Sequence, residues 1–179
     1  GVIREQSERL MEFTESYRRL SYMPEPKKKR FSLTDSLHNL ALLLQSDFEN
    51  AHIHFILRST PSDIYIEGDE KQLSQVFLNL LKNSMQSLEG KTDGQIEVTL
   101  EVTDKLYIKL LDNGWGIPME LQEKIFVPFF TTKTEGTGIG LSLCRQIIKR
   151  HGGNLYLQES GQGRTLFVIE WPIVPFIPK

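Results

Sequence analysis

Three groups of residues in this chain could do chemistry together. Asn79 and Asn83 lie four apart in a helix-like stretch. Asp112 precedes two glycines in Asp112-Asn113-Gly114-Trp115-Gly116, and three more glycines alternate in Gly136-Thr137-Gly138-Ile139-Gly140. A carboxylate can accept from an exocyclic amine such as adenine N6, a directional contact. Glycines at positions such as Gly114 and Gly116 let backbone approach a flat ring closely. A glycine loop that feeds a helix N-terminus turns backbone N–H groups toward anions, with the helix dipole helping. The Asn83 amide oxygen is a hard ligand of the kind Mg²⁺ takes beside waters and substrate phosphates. Lys133, between the two glycine segments, can meet a phosphate as a point charge. One nucleotide needs all of these parts. Each alone has a plainer explanation: Asp-Asn-Gly is an ordinary Asx turn at a strand end, and one G-x-G-x-G is weak. Gly136, Gly138 and Gly140 do not suit a Rossmann unit, because residues 129–133 do not read as a buried strand. Nor do they form a Walker A loop, which ends in Gly-Lys-Ser/Thr.

The elements that must position these residues are legible in the pattern. Asp69 is a good N-cap for a helix running to about residue 88, and Gln72 three positions later completes a capping-box pattern. Leu73, Val76, Phe77, Leu80, Leu81, Met85 and Leu88 make one broad apolar face. Asn79 and Asn83 share its edge, placed to line a pocket. Residues 96–102 and 106–110 alternate with period two and predict a hairpin that delivers Asp112 just beyond it. A short helix is expected over 119–127 behind Pro118. Another spans 141–150 and ends at Gly152-Gly153. Strands follow at 155–158 and 166–170 around Gly161-Gln162-Gly163. Upstream, Leu10, Phe13, Tyr17 and Leu20 give residues 2–22 the seam of a coiled coil or bundle. Pro24 and Pro26 end that helix, and Lys27-Lys28-Lys29-Arg30 reads as a solvated linker rather than a nucleic-acid patch. A second helix is predicted over 32–50 and strands over 53–57 and 64–66. Helices and strands alternate in blocks, not in regular βαβ units. The expected class is α+β, a two-layer α/β sandwich with a mixed sheet of about five strands on about three helices, plus an N-terminal helical fragment.

Composition bounds the rest. A chain of 179 residues holds one substantial domain and a small appendage. With 39% apolar and 25% charged residues it is an ordinary globular composition. A net charge of −2 offers no basic field for nucleic acid or a membrane surface. The one cysteine, Cys144, excludes an internal disulfide and a multi-cysteine zinc site. Its neighbours Leu141, Leu143, Ile147 and Ile148 make it a buried apolar filler. No stretch approaches the roughly twenty apolar residues of a spanning helix, and no signal peptide is visible. The chain is therefore expected in the cytoplasm, without direct membrane contact. Because it starts inside helical sequence, it is expected to be a fragment of a longer protein.

Five motifs in order resemble the catalytic, ATP-binding domain of bacterial two-component sensor histidine kinases, in the superfamily shared with gyrase-type topoisomerases, MutL and heat-shock chaperones. Residues 78–83 resemble the N box and 112–116 the G1 box. Residues 126–133 are similar to the F box, 136–141 to the G2 box and 161–165 to the final glycine box. Residues 2–22 resemble the end of the second dimerisation helix. The organisation implied is 1–24 as the C-terminal part of a dimerisation and phosphotransfer helix, 25–31 as linker, 32–173 as catalytic domain and 174–179 as tail. The resemblance assigns ATP and Mg²⁺ as ligands. Asp112 would bind adenine, assisted by the Thr165 hydroxyl. Asn83 would hold Mg²⁺ with Asn79 beside it at the phosphates. Gly136, Thr137, Gly138, Gly140 and Leu141 would belong to the ATP lid, together with Thr134 and Glu135. Phe129 and Phe130 would pack the lid and dock on the helical bundle. The implied activity is that of a protein-histidine kinase: the γ-phosphoryl passes to a histidine on the chain's own bundle, within a homodimer, and then to an aspartate of a cognate response regulator.

Two departures sharpen this. None of His38, His52, His54 and His151 has the acidic neighbour and downstream proline of an H box. The phosphoacceptor is therefore expected upstream, and this chain alone is expected not to autophosphorylate. Hydrolysing members of the superfamily carry a glutamate at position 79 to activate water; Asn79 cannot act as a general base, which favours transfer over hydrolysis. Two other classes compete: a regulatory module that binds nucleotide without transfer, against which the intact Asn83, Asp112 and glycines argue, and an ATPase whose nucleotide gates dimerisation, against which Asn79 and the bundle-like N-terminal helix argue.

Overall fold

Period-two alternation builds the sheet. In the computed structural model, which describes residues 1–133 and 136–172, five strands lie in the order β2-β4-β5-β7-β6. These are β2 (Ile53–Thr60), β4 (Gly94–Val102), β5 (Leu106–Asp112), β6 (Asn154–Gly161) and β7 (Arg164–Trp171). β2 runs parallel to β4, and the other neighbours are antiparallel. Alternate residues of β4 (Ile96, Val98, Leu100) and β5 (Leu106, Ile108, Leu110) are buried, as are Phe167, Ile169 and Trp171 of β7. The sheet is mixed and five-stranded, as expected.

Three helices make the second layer: α2 (Leu33–Leu43), α4 (Glu70–Ser87) and α6 (Gly140–Arg150). α4 packs against both of the others. Its predicted stripe is real, with Leu73, Val76, Phe77, Leu80 and Leu81 buried. N-terminal to this, α1 (Val2–Ser21) carries the predicted seam, but Leu10, Phe13 and Tyr17 are exposed. Only its C-terminal end, through Leu20 and the following Met23, reaches the core.

Several expectations were corrected. The helix read over 32–50 breaks at Leu44 (φ −93°, ψ 2°) and resumes as α3 (Gln45–Asn50). The break keeps Leu44 buried and lets Phe48 stack on Phe55, with ring centroids 5.0 Å apart and 5° between planes. The segment read as a solvated linker contributes β1 (Lys29–Ser32), paired antiparallel with β3 (Tyr65–Gly68). Backbone pairing there outweighs the charge of the lysine run. His52 sits in the turn before β2 with φ 54°, a region histidine enters more readily than most side chains. The helix expected over 119–127 shrinks to α5 (Met119–Gln122). The chain then proceeds by i→i+3 turns, Lys124 N–H to Leu121 O and Val127 N–H to Lys124 O.

The capping box is half formed. The Gln72 N–H donates to Asp69 Oδ1 at 3.1 Å, but the Gln72 side chain turns away and donates to Pro24 O. The Asp69 N–H goes instead to His151 Nε2 at 3.0 Å. His151 Nδ1 is 2.8 Å from Ile147 O. A carbonyl only accepts and an N–H only donates, so the ring must be the neutral tautomer with its proton on Nδ1. The end of the helix that precedes Gly152 thus holds a buried neutral imidazole.

Among the described residues no helix is long and apolar enough to cross a membrane. The expected tail, 174–179, and the lid residues Thr134 and Glu135 lie outside the described residues.

Candidate functional site

Asp112 is the fourth member of the inward-facing row Leu106, Ile108, Leu110, Asp112. Strand periodicity thus drives a carboxylate into the core face, where it is 2% exposed. It forms the floor of a cleft of about 490 Å³ between α4, the end of the sheet and the glycine segment ahead of α6. Burial raises the Asp112 pKa above the carboxylate range. Hydrogen bonds from the Ser84 hydroxyl (2.8 Å), the Gly114 N–H (2.9 Å) and the more distant Ser87 hydroxyl (3.5 Å) oppose that rise, as does the Lys91 charge.

The loop after Asp112 is fixed by its own backbone. Gly114 N–H closes the Asx turn, Gly114 O accepts from Gly163 N–H at 2.9 Å, and Trp115 N–H donates to Ser87 O. A side chain at Gly114 would collide with the Ser87 hydroxyl. Asn113 ties the loop to β4: its Oδ1 accepts from Gln95 N–H at 2.7 Å and its Nδ2 donates to Asp93 O.

Asn79 and Asn83 both border the cleft from α4. Beside them the Cys144 thiol donates to Val76 O at 3.7 Å, and burial pushes its pKa up to about 12, with Asn79 pulling the other way; Cys144 is fully buried and inert, as read from its neighbours. Lys133 reaches across from the F-box side. Its Nζ donates to Asn83 Oδ1 at 3.2 Å and to Gln86 Oε1. Loss of water holds this ammonium below the usual lysine range, against the pull of Glu89. Phe129 N–H donates to Gly138 O at 2.9 Å, so the F-box and G2 segments are joined. Gly136, Thr137, Gly138, Gly140 and Leu141 line the same wall, and Thr165 lines the floor. Thr165 is the register partner of Asp112, and its hydroxyl meets Ser160 Oγ at 2.9 Å. α6 begins without a side-chain cap, leaving its first-turn N–H groups for whatever enters.

Among the described residues expected to contact the nucleotide, Gly114 does not border the cleft; it supports the floor from behind. Ser84, Ser87 and Gln86 were missed, although they follow Asn83 on the same helical side. So was an apolar wall of Ile117, Leu121 and Ile125. None of the four histidines borders the cleft. His38 and His54 are exposed on other elements.

A buried carboxylate at a strand end, an asparagine pair on the facing helix and a glycine segment leading into a second helix define an α+β sandwich of the histidine-kinase catalytic type. Residues 68–175 match the family described as histidine kinase-, DNA gyrase B-, and HSP90-like ATPase, and the chain belongs to that family. It is 30% identical to the sensory histidine kinase/phosphatase NtrB of Rhodobacter capsulatus, over 97% of this chain and 52% of NtrB. The chain thus spans about half the length of that relative. The catalytic domain of the histidine kinase ThkA superposes with a TM-score of 0.73 at 34% identity, covering 82% of this chain and 95% of that one. ThkA in complex with the response regulator protein TrrA superposes with a TM-score of 0.75 at 28% identity, covering 99% of this chain and 50% of that one.

Proposed function

We propose that the cleft binds ATP with Mg²⁺ and presents the γ-phosphoryl to a histidine on a helical bundle outside this chain, from which it passes to an aspartate of a response regulator. The observation that carries this is Asp112: a buried carboxylate, held by the serines of α4 and by its own loop, at the floor of a cleft bordered by the glycine segment ahead of α6. Its carboxylate accepts from the adenine amine while Thr165 lies beside it. Gly136, Gly138 and Gly140 bring backbone N–H groups to the phosphates, and Lys133 adds charge.

The donor set fits a divalent ion. Lys133 already places a cation on the Asn83 amide oxygen. Among the described residues no group of three His, Cys, Asp or Glu gathers to hold a metal. Asn83 would hold Mg²⁺ with phosphate and water supplying the remaining oxygens. When bound, Mg²⁺ supplies charge neutralisation at the phosphates. Asn79 borders the same space and orients by hydrogen bonding. Lacking a basic group, it leaves water unactivated, so the chain holds ATP for transfer rather than hydrolysing it. Transfer itself then depends on positioning and charge.

NtrB and ThkA are named as histidine kinases, and ThkA is seen with a response regulator; both support this reading. The proposed setting is the cytoplasm, in a homodimeric parent, with residues 1–24 continuing into the bundle and joined through 25–31, whose last residues enter β1, to the catalytic domain of 32–173. The test supplies a helical hairpin bearing an H box as a separate polypeptide, with labelled ATP and Mg²⁺. Acid-labile, alkali-stable label on the hairpin, none on this chain alone, is expected. Asn83→Ala should abolish the Mg²⁺ dependence of binding. ATP binding with no transfer to any hairpin would leave a regulatory module.

A further inference from the structure

Two serines stand one turn apart on α4 and face the same carboxylate. Ser84, 2% exposed, lies 2.8 Å from Asp112 Oδ2, and Ser87 lies 3.5 Å from Oδ1, which also accepts from the Gly114 N–H at 2.9 Å. An ionised carboxylate only accepts, so both hydroxyls donate. The charged group acting on Asp112 is Lys91, whose ammonium is committed to Asn113 O at 2.6 Å. From β7, Thr165 faces it but shares its hydroxyl with Ser160. Ser84 therefore makes the shorter of the two side-chain hydrogen bonds that keep this buried carboxylate charged and fixed.

We propose that Ser84 and Ser87 are positioning residues for the base, holding Asp112 as an oriented acceptor and so setting the preference for a purine with a 6-amine over one with a 6-carbonyl. This rests on reading the cleft as an ATP site. With a hydroxyl at each oxygen and Asp112 bordering the cleft, the carboxylate is held in place with acceptor capacity left for the cleft. A 6-amine can donate to it; a 6-carbonyl meets it as acceptor against acceptor, leaving buried polar groups unpaired. Removing Ser84 weakens the support for the charged form, since burial alone raises the Asp112 pKa. A protonated Asp112 could donate to a 6-carbonyl, and the discrimination would fade.

Calorimetry distinguishes this from simple packing. ATP, GTP and purine riboside triphosphate, which lacks any 6-substituent, are titrated into the chain and into Ser84→Ala and Ser87→Ala across a pH series. Ser84→Ala is expected to weaken ATP about tenfold at neutral pH, the worth of one hydrogen bond to a charged group. The acid limb of its affinity profile should move to higher pH, the ATP-to-GTP ratio should fall, and the purine riboside triphosphate should be unaffected. Equal loss for ATP and the unsubstituted purine, or an unmoved pH profile, overturns the proposal. If Ser84→Ala lacks a cooperative thermal transition, Ser87→Ala, only half-buried, carries the same comparison with a smaller shift. Failure of the underlying reading looks different: the unaltered chain binds no nucleotide, or Asp112→Asn leaves ATP affinity unchanged.

Discussion

Among the described residues, a Cβ at Gly140 would have nothing within 4 Å, whereas one at Gly116, where φ is 81°, would run into the Gly161 carbonyl. Both glycines border the cleft, for different reasons. Gly116 is required by the chain itself: it needs a left-handed backbone and close approach of the final glycine turn. Gly140 is free on both counts and opens toward the cleft at the first residue of α6. Gly140→Ala should therefore melt no lower than the parent and gain up to about 1 kcal/mol from reduced unfolded-state freedom, yet bind ATP more weakly because the methyl fills phosphate space. Gly116→Ala should lose more than about 1 kcal/mol of stability. Thermal melts paired with ATP titrations separate the two. At this scale the sequence was informative about residue types and less so about burial. Ending the strand at 110 left Asp112 in a turn, though two more steps of the same alternation put it on the core face.

At the scale of elements, His151 joins the end of α6 to the start of α4, a contact that sequence distance hides. Burial lowers its pKa from 6.5, and Nε2 must stay unprotonated to accept from Asp69 N–H. The unfolded chain therefore binds a proton that the folded chain refuses. This contribution to stability is complete above pH 6.5 and is lost as pH falls through the depressed folded value. Denaturant melts should show stability declining below that pH, and His151→Phe should flatten the decline while lowering stability overall. Asp69 is the N-cap that this ring supports. The helix starts and stops at 69–88 and 141–150 were legible because caps and glycines are local signals. The break at Leu44 and strand β1 were not, because each is decided by a distant partner, Phe55 and Tyr65–Gly68 respectively.

Across the whole molecule, α1 touches the site side through one ring pair: Phe13 and Phe129 have centroids 4.9 Å apart, tilted by 34°. Phe129 holds φ 66° while its N–H binds Gly138 O, so the N-terminal helix meets the base of the glycine segment. A double-mutant cycle of Phe13→Ala and Phe129→Ala, read by denaturant unfolding, should give a coupling of about 0.5–1.5 kcal/mol, the range for aromatic pairs; zero coupling would mean that the helix is not held there. Motif spacing alone determined the family and the α+β layering, and picked out Asn79, Asn83, Asp112 and the glycines that border the cleft, because periodicity and glycine turns act over a few residues. The tertiary structure decided what those residues meet. It set the burial of Asp112 among serines, the Lys133 cation on Asn83, and the neutral His151 under α4. Such contacts join positions far apart in the chain, and only packing fixes which donor faces which acceptor.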